Sequence, residues 1–281
     1  MKHRHLFGSL FATLAVLAGC ATLDEQQRSW IFQPSDRAWG GTAHQAEGMD
    51  DVWISFDSRL SGQPVKLHGL WLPADRPAAG KPVMLYLHGA RWNVTGSAPR
   101  IRRMQELGFS VLAVDYRGFG KSTAVLPSEE LAGEDARAAW DWLAARHPTA
   151  PRYIFGHSLG GALAITLAAQ VDDERGTIVE GTFTSIPDVA STMKWGWLPL
   201  GPLITQRFES MTRVSQIGSP LLVVHGDADN LIKPELGRKL FEAAAEPKAF
   251  VLVPGGSHYN TNAVGQAQYR VALAGLFKLT P

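Results

Sequence analysis

The chemistry most plainly written in this 281-residue chain is that of an activated serine hydroxyl. Ser158 lies in Gly156-His157-Ser158-Leu159-Gly160, after the apolar run Tyr153-Ile154-Phe155 and before the small-residue stretch Gly161 to Ala169. Strand, sharp turn, serine and helix in that order make a nucleophile elbow, which pushes the serine out at the end of a sheet. Gly156 and Gly160 suit so tight a turn because neighbouring side chains there would collide. The following helix aims its free N–H groups at the same spot and favours negative charge there.

A serine needs a base to become a nucleophile. With this kind of elbow the partners follow in the order serine, acid, histidine. Of nine histidines only His225 and His258 follow Ser158, and His225 precedes the acid candidates. His258 remains, on the Gly-rich loop Pro254-Gly255-Gly256-Ser257 after the apolar run Phe250 to Val253. The acid belongs just past the preceding strand, where Gly226-Asp227-Ala228-Asp229-Asn230 offers two carboxylates. Asp229 stands deeper in the loop, whereas Asp227 is placed to accept N–H groups of the turn, the usual role of an Asp there. An oxyanion hole needs two backbone donors. Leu159, next after the serine, supplies one, and the loop after the strand Val83 to His88 supplies the other at Ala90, with His88 tying that loop down.

These side chains require a sheet whose strands end at one edge. Val52 to Phe56 and Val65 to Leu72 read as an N-terminal hairpin. Strands are then expected at 83–88, 111–116, 153–155, 177–179, 221–225 and 250–253. Helices are expected at 99–107, 129–146, 159–170 and 264–279. Apolar strands alternating with helices imply an α/β fold, a mostly parallel sheet with helices on both faces. The segment 185–217, rich in large apolar residues, is expected as a short cap insertion over the site. Its Trp195 and Trp197 suit an apolar–polar boundary, against acyl chain or bilayer.

Taken together, Leu87-His88-Gly89, Asp115-Tyr116-Arg117-Gly118-Phe119-Gly120-Lys121-Ser122, Pro127-Ser128-Glu129, Gly156 to Gly161, Thr182 to Pro187, His225-Gly226 with Asp229, and Pro247-Lys248 leading to His258 resemble the α/β-hydrolase superfamily. The resemblance lies near the subgroup of membrane-tethered depalmitoylases and bud-emergence-type, serine aminopeptidase-like hydrolases. It covers most of the chain after residue 50. It implies an α/β-hydrolase fold, the triad Ser158, Asp229 and His258, and hydrolysis of esters or thioesters. Aminopeptidase-type amide hydrolysis is the rival activity, and a non-enzymatic envelope-binding role the rival outside catalysis, since fold does not fix function. The chain departs from the subgroup at Ala90-Arg91-Trp92-Asn93, so Arg91 and Trp92 bear on the shape of the acyl pocket.

The N-terminus carries a second signal. Met1-Lys2-His3-Arg4-His5 is positively charged, and Leu6 to Ala18 is apolar but too short to span a bilayer. That reads as a signal peptide over 1–19. Leu17-Ala18-Gly19-Cys20 resembles a bacterial lipobox, making Cys20, the single cysteine, a lipidated N-terminus. The expected order is signal peptide 1–19, tether 20–48, with its apolar Trp30, Ile31 and Phe32 docking on the domain, and catalytic domain 49–281. The expected location is the cell envelope, lipid-anchored, on the periplasmic face of the outer membrane, with an acyl ester or acylated molecule as substrate. The charge balance is 27 basic against 26 acidic residues. Removing 1–19 takes away Lys2 and Arg4 and no acid, leaving 25 against 26, which argues against nucleic acid as partner. No metal and no cofactor is implied, because no His, Cys and carboxylate cluster has ligand spacing.

Overall fold

The strand β3 (Val83–Leu87) is buried at every position, and its residues divide by parity between two cores. Val83, Leu85 and Leu87 face one core and Met84 and Tyr86 the other, as side chains alternate along a strand. The same division runs through β5 (Arg152–His157), with Ile154 on one side and Tyr153 and Phe155 on the other. The structure is a computed structural model describing residues 21–35, 42–75, 81–91, 93–194, 196–199 and 201–279.

Among the described residues eight strands form one sheet in the order β1-β2-β4-β3-β5-β6-β7-β8. The hairpin β1 (Asp50–Asp57) and β2 (Pro64–Leu72) is antiparallel, and β2 also runs antiparallel to β4 (Ser110–Val114). The pairings from β4 through β3, β5, β6 (Glu174–Glu180) and β7 (Leu221–Gly226) to β8 (Lys248–Val253) are parallel. The helix α2 (Ala98–Glu106) and the C-terminal α9 (Gln266–Phe277) supply Ile101, Met104, Tyr269 and Leu273 to one core. The helices α3 (Glu129–Arg146), α4 (Leu159–Ala168) and α7 (Pro234–Ala243) cover the other face. Chain order reverses beside β3, with α2 and α3 on opposite faces. A crevice therefore opens beyond the carboxyl ends of β3 and β5, where ligands bind in sheets of this kind.

The helices of the C-terminal part depart from expectation in two places. The last helix is broken into α8 (Thr261–Val264) and α9 at Gly265, where an added Cβ would lie 2.8 Å from Val253. The helix α7 is additional to those expected, although Pro234 at its first turn and Leu236 and Leu240 on its buried face are ordinary helix signals.

The segment expected as a tether is, over 21–35, part of the domain. Residues 21–32 are helical (α1), and Phe32 is fully buried between Phe119 and Phe208 at ring distances of 6.5 and 5.7 Å. Asp24 and Gln27 bond Thr205, and Arg28 donates to the carbonyls of Leu126 and Pro127. The Arg91 N–H donates to the Phe32 carbonyl at 2.8 Å. Burial of an aromatic ring outweighs the polar composition that suggested a tether.

Candidate active site

Ser158 sits between β5 and α4 at φ 55° and ψ −120°, a conformation non-glycine residues rarely hold. Its surroundings impose it. The Ser158 N–H donates to the Glu180 carbonyl at 2.9 Å, and Thr182 Oγ1 donates to the Ser158 carbonyl at 2.9 Å. A Cβ on Gly156 would meet the Gly160 carbonyl at 2.2 Å, and one on Gly160 the Leu87 carbonyl at 2.1 Å. Strain at a single residue persists only where the surroundings over-determine it.

The hydroxyl so presented meets a histidine. Ser158 Oγ lies 3.0 Å from His258 Nε2, and His258 Nδ1 lies 2.8 Å from Asp229 Oδ2. Asp229 Oδ1 accepts the N–H groups of Leu231 and Ile232, each at 2.9 Å. His225 Nε2 lies 3.4 Å from Asp229 Oδ2 and donates to the Ile232 carbonyl at 2.9 Å. Burial alone would raise the Asp229 carboxyl. The hydrogen bonds from His225, His258 and Ile232 overcome it and hold the group well below the usual carboxylate range. Asp227 is engaged elsewhere. It accepts the Gly255 N–H at 2.7 Å and fixes the turn carrying His258.

His157 supports the histidine from behind. Its Nε2–H donates to the His258 carbonyl at 2.9 Å. Burial, with Arg100 and His258 nearby, pushes the His157 imidazole well below its ordinary value, so it stays neutral. Its role gave no signal in the sequence beyond its place in the elbow.

The loop after β3 closes on the serine. A Cβ on Gly89 would lie 3.1 Å from Ser158 Cβ, so the turn passes directly over the elbow. His88 donates through Nδ1 to the Gly89 carbonyl at 2.7 Å, and Tyr116 donates to the His88 carbonyl at 3.0 Å. Buried Asp115 accepts the Val94 N–H at 2.6 Å and pins the far end of the loop. Ala90 and Leu159 both line the cavity that contains Ser158 and His258. Leu159 is the first residue of α4, where N–H groups have no partner within the helix.

That cavity has a volume of about 600 Å³. Its apolar wall is Trp30 and Ile31 of α1, Phe183, Leu231, Ile232, and Ile186, Val189 and Met193 in and after the short helix α5 (Ile186–Ser191). Arg91, Arg100 and Arg103 line it as well. The expected cap is therefore divided. Ile186 to Met193 forms wall, whereas Phe208, Val214 and Ile217, on either side of the short helix α6 (Ser210–Arg213), are buried in the core. Trp197 is 74% exposed and does not line the cavity. Arg91 lines it at φ 72°. Trp92, Trp195 and Cys20 lie outside the described residues. Docking of the triplet Trp30-Ile31-Phe32 on the domain is expected from the sequence; that Trp30 and Ile31 form cavity wall is not.

A family model described as serine aminopeptidase, S33 (Hydrolase_4) matches residues 78–211. The uncharacterized protein MT2364 of Mycobacterium tuberculosis is 35% identical over 235 residues, which cover 83% of this chain and 80% of the relative. Lysophosphatidylserine lipase ABHD12 of Rattus norvegicus is 28% identical over 249 residues, which cover 79% of this chain and 57% of the relative. Among solved structures, the Pyrococcus furiosus esterase Pf2001 superposes with a TM-score of 0.68 at 22% identity, covering 87% of this chain and 96% of the esterase. That likeness establishes the α/β-hydrolase fold.

Proposed function

Since the chain belongs to the Hydrolase_4 (S33) family of α/β-hydrolases, we propose that it is a serine hydrolase of carboxylic esters or thioesters working through an acyl-enzyme on Ser158. The observation that carries this reading is the unbroken hydrogen-bond chain from Ser158 Oγ through His258 to Asp229. In the proposed cycle His258 Nε2 takes the Ser158 proton as Oγ attacks the acyl carbonyl. The N–H groups of Leu159 and Ala90 hold the oxyanion, and the imidazolium, steadied by Asp229, returns the proton to the leaving alcohol or thiol. Water, activated by the same imidazole, then releases the acid. The apolar wall supports an acyl substituent, and a lipase among the relatives agrees with it.

The family description suggests an aminopeptidase as the second reading. A free α-ammonium calls for a carboxylate in the pocket, yet none of the described lining residues is Asp or Glu and three are Arg. The cavity therefore favours esters over peptide N-termini. The signal-peptide-like pattern of 1–19 and the lipobox-like Cys20 support the reading of an envelope enzyme held by acyl chains at its N-terminus.

Fluorophosphonate labelling and turnover of short p-nitrophenyl esters test the chemistry. Wild type should label and turn over, and Ser158→Ala should do neither; wild-type-like turnover in that variant would overturn it. Metabolic labelling with palmitate tests the anchor: Cys20→Ser should take up none, and uptake by that variant rejects lipidation at Cys20.

A further inference from the structure

The two walls of the cavity differ in chemistry and come from opposite faces of the sheet. Ile31, Phe183, Ile186, Val189 and Ile232 belong to or pack on the core under α3 and α4. Arg100 and Arg103 project from α2, whose Ile101 and Met104 belong to the other core. They stand three residues apart, and so on one face of that helix. Arg91 adds a third guanidinium from the loop that carries Ala90.

Their charges are unequally balanced. Arg100 donates to buried Glu180 at 2.9 Å and to the Tyr259 carbonyl at 3.3 Å, and Glu180 is held in turn by the Tyr269 hydroxyl at 2.5 Å. Arg100 is thus a fixed, paired group. Arg103 is half-buried and, like Arg91, makes no ion pair among the described residues. Burial and the like charge of Arg100 work against Arg103 more than Glu106 and Glu180 support it. A half-buried guanidinium on a cavity wall without acidic residues is short of an anion.

We infer that Arg103 and Arg91 bind an anionic group, phosphate or carboxylate, on the alcohol portion of the substrate. An ester bound at Ser158 has two ends. The apolar wall suits the acyl end, which leaves the alcohol end to the arginine wall. This assignment rests on the ester-hydrolase reading and narrows it to anionic acyl esters.

Three substrates sharing one acyl chain test it: 1-lauroylglycerol, its 3-phosphate and the lauroyl ester of glyceric acid. Wild type should prefer an anionic ester. Arg103→Met should lower kcat/KM about tenfold for anionic esters and less than about twofold for the neutral one, the scale of a lost charge-assisted contact. Whichever anionic ester loses more identifies the group. Arg102→Met removes equal charge, but Arg102 bonds the carbonyls of Gln45 and Glu47 away from the cavity, so it should leave the preference intact. Equal losses on all three esters, no preference in wild type, or equal effects of the two variants would overturn the site.

A binding arm separates this inference from catalysis. The full chain carrying Ser158→Ala should bind dodecyl phosphate more tightly than 1-O-dodecylglycerol by calorimetry. Adding Arg103→Met should erase the difference; equal affinities at the outset would overturn the site. If wild type hydrolyses none of the esters, the ester reading fails while the binding arm still judges the arginines.

Discussion

Asp229 faces His258 Nδ1 at 2.8 Å, and the carboxylate two residues earlier in the same loop is engaged elsewhere, on the Gly255 N–H at 2.7 Å. One carboxylate orients the imidazole; the other holds up the turn that carries it. Asp229→Asn should therefore lower kcat by about 10⁴-fold, because an amide at Oδ2 favours the wrong imidazole tautomer. Asp227→Asn should cost less than about tenfold. Steady-state kinetics of both variants on one ester decides, and the reverse ranking would move the role to Asp227.

The same pairing predicts a pH effect on stability. Asp229 is held below the ordinary Asp value of about 3.9 in the folded chain. An acid with a depressed folded pKa stabilises above its unfolded value, and the contribution fades as pH falls toward the folded one. Below about pH 4 the melting temperature of wild type should thus fall more steeply than that of Asp229→Asn. Calorimetric melts from about pH 2.5 to about pH 5 check this; parallel curves would show that the hydrogen bonds to Asp229 do not keep the proton off.

The elbow glycines should be intolerant for a steric reason. Gly160→Ala places a Cβ 2.1 Å from the backbone carbonyl of Leu87, so soluble folded protein is not expected. Gly133→Ala, inside α3 with nothing within 4 Å of the added Cβ, should instead stabilise by about 0.5–1 kcal/mol. Urea denaturation of both variants provides the contrast, and a normally folded Gly160→Ala would contradict the packing described.

Helix α1 should behave as a structural part of the domain. Phe32→Ala empties a fully buried site between two phenylalanines and should cost about 3–5 kcal/mol. Trp30→Ala, at a residue 67% exposed, should cost under about 1 kcal/mol. A wild-type melt for Phe32→Ala would return this segment to the role of a loose tether.

Acyl-chain selectivity should follow the apolar wall rather than the exposed tryptophan. Replacing Val189 and Met193 by Ala should reduce kcat/KM for longer acyl chains more than for acetate, since each covered methylene contributes about 0.8 kcal/mol. Trp197→Ala should leave the chain-length profile unchanged. A profile that responds to Trp197 and ignores the other two would place the acyl path on the other side of the segment.

By itself the sequence determined what local rules can carry. Ser158 was legible because an elbow needs glycines within two residues of it, and the strands because parity of apolar residues sets which face each one buries. His258 followed from chain order on that elbow. Asp229 and Asp227 stand in one turn; loop position and the resemblance favoured Asp229, and the tertiary structure adds the distance, since a loop 29 residues away in sequence sets His258 against Asp229. The apolar triplet Trp30-Ile31-Phe32 hinted that this segment docks, but only packing fixed where, because the pocket for Phe32 is made by Phe119 and Phe208, far apart in the chain. Trp197 looked like part of a cap by composition, whereas nothing in the sequence singled out Arg103. Side-chain type tells what a residue can do, whereas its neighbours across the sheet decide which residues share a cavity.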